Sequence, residues 1–379
     1  MNSLGIYIHI PYCLHKCGYC DFNSHVAREK EMPDYVSALL KEMEIASNEM
    51  DIDSEIVSIF LGGGTPTTLP LELLEKILIR SRQIFPLVPD CEITFEANPA
   101  SASLEKLSGL RRIGYNRISI GVQSFQANEL VTLDRIHSPD EAVTAINWAR
   151  QAGFDNLSID LMFALTDQTP ETWNNTLNKA LALAPEHLST YNLMIEPGTA
   201  FYGLQKNGKL KLPEDEQQLY YFQESIRQLT QAGYQHYEIS NFAKPGRECR
   251  HNKIYWNNGN TFGFGAGAAR YLNGQRSKNI NLPSDYIRQI MQNGDATEST
   301  ECLQTLDAMG ETLMLGLRML EGVNIPQFEN RFKVSFHSHY QEVLKKLSRE
   351  NFIKLTEDRL ALTTKGLYLA DSVIMEFMN

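Results

Sequence analysis

The stretch Tyr7-Ile8-His9-Ile10-Pro11-Tyr12-Cys13-Leu14-His15-Lys16-Cys17-Gly18-Tyr19-Cys20-Asp21-Phe22 holds three of the six cysteines of the chain, spaced CxxxCxxC. An apolar, β-branched run precedes Cys13 and reads as a strand, which puts the thiols on the loop that leaves it. Thiolates at this density serve zinc or iron–sulfur sites. Structural zinc needs four closed ligands, so His9, His15 or a distant cysteine would have to complete it. A cubane cluster held by three cysteines instead leaves one iron open. Cysteines that merely pack in a core rarely cluster in this way.

Outward from this loop, strand and helix patterns alternate. Residues 33–50 have helical periodicity, with Tyr35, Val36, Leu39, Leu40, Met43 and Ala46 on one side. The apolar run 56–61 ends abruptly in Gly62-Gly63-Gly64-Thr65-Pro66-Thr67, and 71–84 reads as the next helix. Strands are expected at 92–96, 117–122, 157–163 and 187–193, and helices at 104–110, 140–152 and 171–183. Such alternation predicts a parallel sheet covered by helices, curled by right-handed crossovers into a barrel or partial barrel. Glu96, Gln123 and Asp160 fall at the C-terminal ends of strands, with Cys13 on the same rim, where barrel proteins build their sites. An open doubly wound sheet would place a G-x-G-x-x-G fingerprint after the first strand, and none is there.

Bulk properties narrow the partners. A 379-residue chain of formal charge −11, without interleaved basic and aromatic residues, is a poor match for nucleic acid. No apolar run approaches the roughly 20 residues that cross a bilayer, and the N-terminus lacks the pattern of a signal peptide, so a cytoplasmic protein is expected. Cys91, Cys249 and Cys302 are scattered, which fits a reducing compartment without disulfides.

Further along, a helix is expected at 214–232 and a strand at 237–240. A loop-rich stretch then holds His251-Asn252-Lys253-Ile254-Tyr255-Trp256, followed by Gly263-Phe264-Gly265-Ala266-Gly267-Ala268-Ala269-Arg270. Those glycines permit either close backbone approach to a ligand or a tight bend. From 297 onwards two helices, a hairpin of 352–355 and 359–362, and a last helix at 365–377 resemble a winged helix. The hairpin has few basic residues, so docking suits it better than DNA. The segment 281–301 reads as a linker, giving a core at 1–240, a connecting region at 241–296 and a C-terminal domain at 297–379.

The cysteine segment, with Tyr7 ahead of it and Tyr19 within it, resembles the signature of radical S-adenosylmethionine (SAM) enzymes. Gly62-Gly63-Gly64-Thr65-Pro66 looks like the segment of that family whose backbone receives the methionyl amine, although taken alone it is an ordinary strand-end turn. Over nearly its whole length the chain is similar to the oxygen-independent coproporphyrinogen III dehydrogenases and their relatives, the HemW-type haem chaperones. This resemblance implies an α/β fold, a radical SAM partial (β/α)6 TIM-like barrel with a C-terminal α+β winged-helix-like domain. It implies a [4Fe–4S] cluster on Cys13, Cys17 and Cys20. It also implies cofactor contacts at Tyr7, Tyr19, Gly63, Gly64, Thr65, Glu96, Gln123, Arg135, Asp160, Met194 and, as a weaker match, Ala269. Glu96 and Asp160 can accept hydrogen bonds from ribose hydroxyls or an amine, and Arg135 can pair with a carboxylate.

Two departures separate the relatives. The dehydrogenases usually carry a further cysteine where this chain has Phe22, and a long N-terminal arm, whereas Cys13 comes almost at once here. His251-Asn252-Lys253-Ile254-Tyr255-Trp256 looks like the HNxxYW motif of the haem chaperones. His251 is then the expected haem ligand, with Tyr255 and Trp256 covering the macrocycle. A loop held by structural hydrogen bonds is the plainer reading, and Cys249 is a second candidate ligand. His337 and His339 read as surface or packing residues, and His9 as a residue that orients the cluster loop. The leading expectation is a haem chaperone without coproporphyrinogen dehydrogenase activity that binds a [4Fe–4S] cluster, SAM and haem. Its partners would be haem-accepting respiratory proteins, with membranes met only through those clients, and a homodimer is compatible. The alternative is a coproporphyrinogen III dehydrogenase acting by radical oxidative decarboxylation. A cluster-sensing winged-helix regulator comes third, and the acidic charge speaks against it.

Overall fold

The computed structural model describes residues 2–50 and 54–378. Six strands run parallel in chain order: β1 (Asn2–Ile10), β2 (Ser54–Gly63), β3 (Leu87–Ala97), β4 (Arg117–Gln123), β5 (Leu157–Phe163) and β6 (His187–Asn192). Each crossover carries a helix: α1 (Met32–Ser47), α2 (Leu71–Ile84), α3 (Leu104–Ile113), α4 (Pro139–Gln151) and α5 (Pro170–Ala182). α6 (Asp215–Gln231) follows β6. Helix starts follow local chemistry: Pro139 opens α4 behind a capping box of Ser138 and Glu141. The expected α/β partial barrel is therefore present.

Within the strands, side chains alternate in character. Ile6, Ile8, Ile93, Phe95, Ile118, Ile120, Ile159 and Leu161 are buried in the apolar core. The intervening Tyr7, Glu96, Ser119 and Asp160 line the barrel interior. A period-2 pattern with an aliphatic outer face seals the sheet under its helices and leaves the inner face free for polar groups.

The sheet continues on both sides. β7 (Gln235–Glu238) and β8 (Asn241–Ala243) add antiparallel next to β6. Helix α7 (Arg250–Trp256) replaces the expected loop around the histidine motif, because the carboxylate of Glu92 supplies its N-terminal cap: Arg250 and His251 donate their backbone N–H groups to it at 3.2 and 3.3 Å. β9 (Thr261–Phe264) then pairs parallel with β1, and β10 (Ala269–Leu272), β11 (Gln275–Asn279) and β12 (Thr297–Cys302) extend the sheet antiparallel. The glycine-rich segment is thus a tight bend between strands, and Gly267 and Ala269 also face a cavity. The segment expected to be a linker instead carries α8 (Pro283–Asn293), packed on α1, and β12. Its Pro283 start and its left-handed Gly294 end are ordinary helix boundaries.

A second apolar core, which includes Leu313, Phe328, Phe336, Leu344, Leu360 and Val373, forms under a three-stranded antiparallel sheet of Val323–Asn324, Arg359–Leu362 and Ile353–Leu355. The expected final helix breaks into Thr364–Leu367 and Ala370–Met375, because Leu369 leaves the helical region at φ −124°. His337 and His339 are exposed, as expected. Arg318 joins this part to the barrel: it lies 3.6 Å from the fully buried Glu238 and over the Trp256 ring at 4.4 Å.

Glu42 on α1 anchors the glycine bend. It accepts hydrogen bonds from Gly265 N at 2.9 Å, Asn279 Nδ2 at 2.6 Å and Tyr286 Oη at 2.6 Å. Burial pushes its carboxyl up to about 7, with those donors pulling it back. The folded state therefore holds this proton more tightly than the unfolded chain, so stability falls as pH rises from about 4.5 to 7. The share of Glu42 is about 3 kcal/mol. Glu42→Gln should flatten the pH dependence of unfolding between pH 5 and 7.5, measured by denaturant midpoints; an unchanged slope would refute this role.

Candidate functional site

The cysteine loop is closed by its own backbone. Cys13 ends a two-residue strand paired with His25–Val26, and the bonds His25 N to Pro11 O at 2.7 Å and Ala27 N to Cys13 O at 2.8 Å pinch it shut. Cys13, Cys17 and Cys20 are half-buried free thiols within electrostatic reach of one another. Thr65 Oγ1 donates to Cys13 Sγ at 3.5 Å and Arg135 Nη1 to Cys17 Sγ at 3.7 Å, as donors around an anionic sulfur would.

Both histidines that could complete a zinc site are engaged elsewhere. His15 Nε2 lies 2.8 Å from Asp134 Oδ2. The His9 ring bonds through Nδ1 with Tyr7 Oη at 3.0 Å and through Nε2 with Asn23 O at 2.8 Å. His9 thus orients the loop. Among the described residues no three His, Cys, Asp or Glu side chains close on one ion position. A cubane makes no such demand, since each thiolate binds a different iron, so the three-thiolate set fits a [4Fe–4S] cluster.

The glycine turn is stitched to this loop. Gly64 N donates to Ile10 O at 2.8 Å and Thr65 N to Tyr12 O at 2.7 Å. A Cβ on Gly64 would lie 2.7 Å from Tyr12 O and 2.8 Å from Ile10 O, and one on Gly63, whose φ is +106°, would enter the His9 ring. On the far side Gly63 N donates to Glu96 Oε2 at 3.1 Å. Asn23 Nδ2 donates to Ala266 O at 2.9 Å and Asn281 O at 2.8 Å, so the cysteine loop also grips the glycine-rich bend.

These elements enclose a cavity of ≈ 590 Å³ whose walls include Tyr7, Gly63, Glu96, Phe22, Tyr255 and Ala269. Tyr7, Glu96 and Tyr255 also line an inner chamber of ≈ 180 Å³, together with Asp160 and His251. The sheet register explains part of this convergence, since Glu96 pairs with Ser119 and Asp160 with Ser189. Asp160 accepts the hydroxyls of Ser119, Ser158 and Ser189 at 2.8–3.1 Å. Burial raises the Asp160 carboxyl, and the serines pull it back. Glu96 is pushed up to about 8, by burial first and by Asp160 second, with the Gly63 N–H opposing.

Not every expected residue meets these cavities. Tyr19 packs on Phe201 at 6.0 Å between ring centres, Gln123 takes φ +67° at the end of β4, and Met194 is 64% exposed. None of the three lines either cavity, nor do Gly64, Thr65, Arg135 or the three cysteines; Arg135 instead donates to Cys17 Sγ and Gly121 O. His251 is 1% exposed; its Nδ1 bonds with Ser58 Oγ at 2.9 Å and its Nε2 has no partner among the described residues. Burial and then Arg117 hold its pKa down to about 3, so the imidazole is neutral. Trp256 lines neither cavity, and Arg318 lies over its ring at 4.4 Å. Cys249 also lines neither cavity, and its Sγ lies 3.5 Å from Glu92 Oε1. Sequence reasoning missed Glu42, Glu92 and Asn23, polar residues without motif spacing whose partners lie far away in sequence, and the buried Arg117.

The radical SAM superfamily model matches residues 7–180, and the HemN C-terminal domain model matches 303–369. The chain is 38% identical to the haem chaperone HemW of Bacillus subtilis, over 98% of both chains. It is 39% identical to HemW of Escherichia coli K12, over 86% of both. Among solved structures it is similar to the coproporphyrinogen III oxidase HemN of Escherichia coli, described as a radical SAM enzyme, with a TM-score of 0.86 at 27% identity, covering 100% of this chain and 90% of that one.

Gly64→Ala should destabilise the fold by about 1–3 kcal/mol through overpacking against backbone and should lower iron retention after cluster reconstitution. Gly203→Ala, on a helix where a Cβ meets no described atom within 4 Å, should leave iron retention unchanged and raise stability by roughly 0.5–1 kcal/mol. Thermal unfolding and iron content per chain check the pair; equal behaviour of the two variants would contradict the close-approach argument.

Proposed function

The chain belongs to the HemW family of the radical SAM superfamily, and from that premise we propose that it is a cytoplasmic haem chaperone, binding a [4Fe–4S] cluster, SAM and haem and passing haem to haem-dependent respiratory proteins. The observation that carries this reading over its enzymatic alternative is the 38% identity to a named haem chaperone across 98% of both chains. Phe22 supports it: where the dehydrogenases usually have a cysteine, this chain puts a side chain 61% exposed on the cavity wall. No helix among the described residues is long and apolar enough to cross a membrane, so contact with membrane-bound clients would run through those clients.

In this reading Cys13, Cys17 and Cys20 hold the cluster, which when bound supplies an electron to the sulfonium of SAM or simply fixes SAM in place. Thr65 and Arg135 steady the thiolates with hydrogen bonds. Tyr7 and Gly63 shape the wall for the methionyl end of SAM, while Glu96 and Asp160 accept hydrogen bonds from its polar groups. Haem takes the outer cavity beside Phe22 and Tyr255, with His251 as the iron ligand. His251 Nε2 faces the inner chamber, and ≈ 180 Å³ is below the roughly 300–1,000 Å³ of pockets for drug-sized ligands. Coordination by His251 therefore demands that Tyr255 and α7 move to admit the iron.

The likeness in fold to the Escherichia coli oxidase keeps coproporphyrinogen oxidation as the competing reading. Anaerobic incubation of the reconstituted protein with reductant, SAM and coproporphyrinogen should give no decarboxylated product, and appreciable turnover would overturn the chaperone reading. Alanine at any one of Cys13, Cys17 or Cys20 should abolish the cluster absorbance and most bound iron; full iron retention in any of them would remove that cysteine as a ligand. His251→Ala should weaken haem binding at least roughly tenfold in an absorbance titration, and unchanged affinity would remove His251 as the ligand.

A further inference from the structure

Arg117 opens β4 and is 2% exposed, yet its guanidinium has no hydrogen-bond or ion-pair partner among the described residues; its Nε is an orphan, and neighbouring acids act on it only at longer range. The two carboxylates that act on it, Glu92 and Asp160, are already engaged. Glu92 caps α7 and meets the Cys249 thiol, and Asp160 is held by three serine hydroxyls. A buried guanidinium carries five donors and is costly to leave unpaired. Arg117 lines the inner chamber of ≈ 180 Å³ together with the second orphan, His251 Nε2, and with Tyr191 and Asn252. That volume is about six waters' share of liquid, enough for one small carboxylate and its hydration.

We propose that this chamber is a carboxylate seat, in which Arg117 grips one carboxylate by its planar fork. The donor set matches that chemistry: a guanidinium fork fits a carboxylate bidentately. Asp160 and Glu96 share the wall with Arg117, and repulsion from a carboxylate there weighs about twice as heavily on a dianion such as phosphate as on a monoanion. Tyr7, Glu96 and Tyr255 line both spaces, so the carboxylate is either a free small acid or one arm of a larger ligand in the outer cavity. Assignment of that arm to haem rests on the chaperone reading; the seat itself does not.

The test uses the full chain, as wild type, Arg117→Met and Arg117→Lys. Acetate is titrated calorimetrically at constant ionic strength against a chloride control, and haem is compared with its dimethyl ester by absorbance. Saturable acetate binding that weakens at least roughly tenfold in Arg117→Met supports the seat for a free acid. A preference of wild type for haem over the ester, lost in Arg117→Met, supports the arm. Arg117→Lys, which keeps the charge and loses the fork, should fall between the two. Acetate binding that depends on Arg117 in a chain that takes up no haem would uphold the seat and remove the haem reading. The proposal is overturned if wild type binds no acetate and does not distinguish haem from its ester, or if Arg117→Met changes neither. The wild-type arms decide this even if a variant fails to fold.

Discussion

Close approach of the glycine turn to the first strand is the constraint on which the site depends. Gly63 and Gly64 bring β2 within reach of the His9 ring and of the Ile10 and Tyr12 carbonyls. That contact fixes His9, and His9 fixes Asn23 on the cysteine loop. Asn23 in turn holds the glycine-rich bend. One chain of short-range sterics and hydrogen bonds thus positions three thiols, a backbone wall and a cavity rim together. A side chain at Gly64 would push against backbone carbonyls, which have little room to yield.

A second set of contacts ties the histidine motif to both halves of the molecule. Glu92 from the barrel caps the start of α7, while Arg318 from the C-terminal part sits over Trp256 at its end. Between these anchors His251 and Tyr255 point inward. The polar groups they meet survive burial because each carboxylate has its own donors, and because the aliphatic outer face of the strands, packed under helices, keeps water from the sheet. Arg117 is the exception to this local balance.

Most of the barrel was legible in the sequence. Helices 71–84 and strand 157–163 fall where periodicity puts them, since an alternating apolar pattern is a local property. The gathering of three cysteines on one loop was legible too, but the engagement of the nearby histidines was not, because the partners of His9 and His15 are Asn23 and Asp134, and the latter lies far along the chain. Residues 250–256 read as loop for a similar reason: the cap that makes them helical is Glu92, more than 150 residues upstream. Burial of His251 and the capture of Trp256 by Arg318 are tertiary facts that no spacing encodes. The helix 283–293 is different, since Pro283 and Gly294 marked both its ends in plain sight.

The central claim is that the cavity beside the cysteine loop holds haem in order to give it away. Haem passing from the haem-loaded, cluster-reconstituted chain to a haem-free acceptor, followed anaerobically by difference absorbance, tests this most directly. The expected result is one haem per chain, transferred nearly completely with the porphyrin unaltered. Failure to load haem near that ratio, or haem that stays on the chain in the presence of excess acceptor, would contradict it.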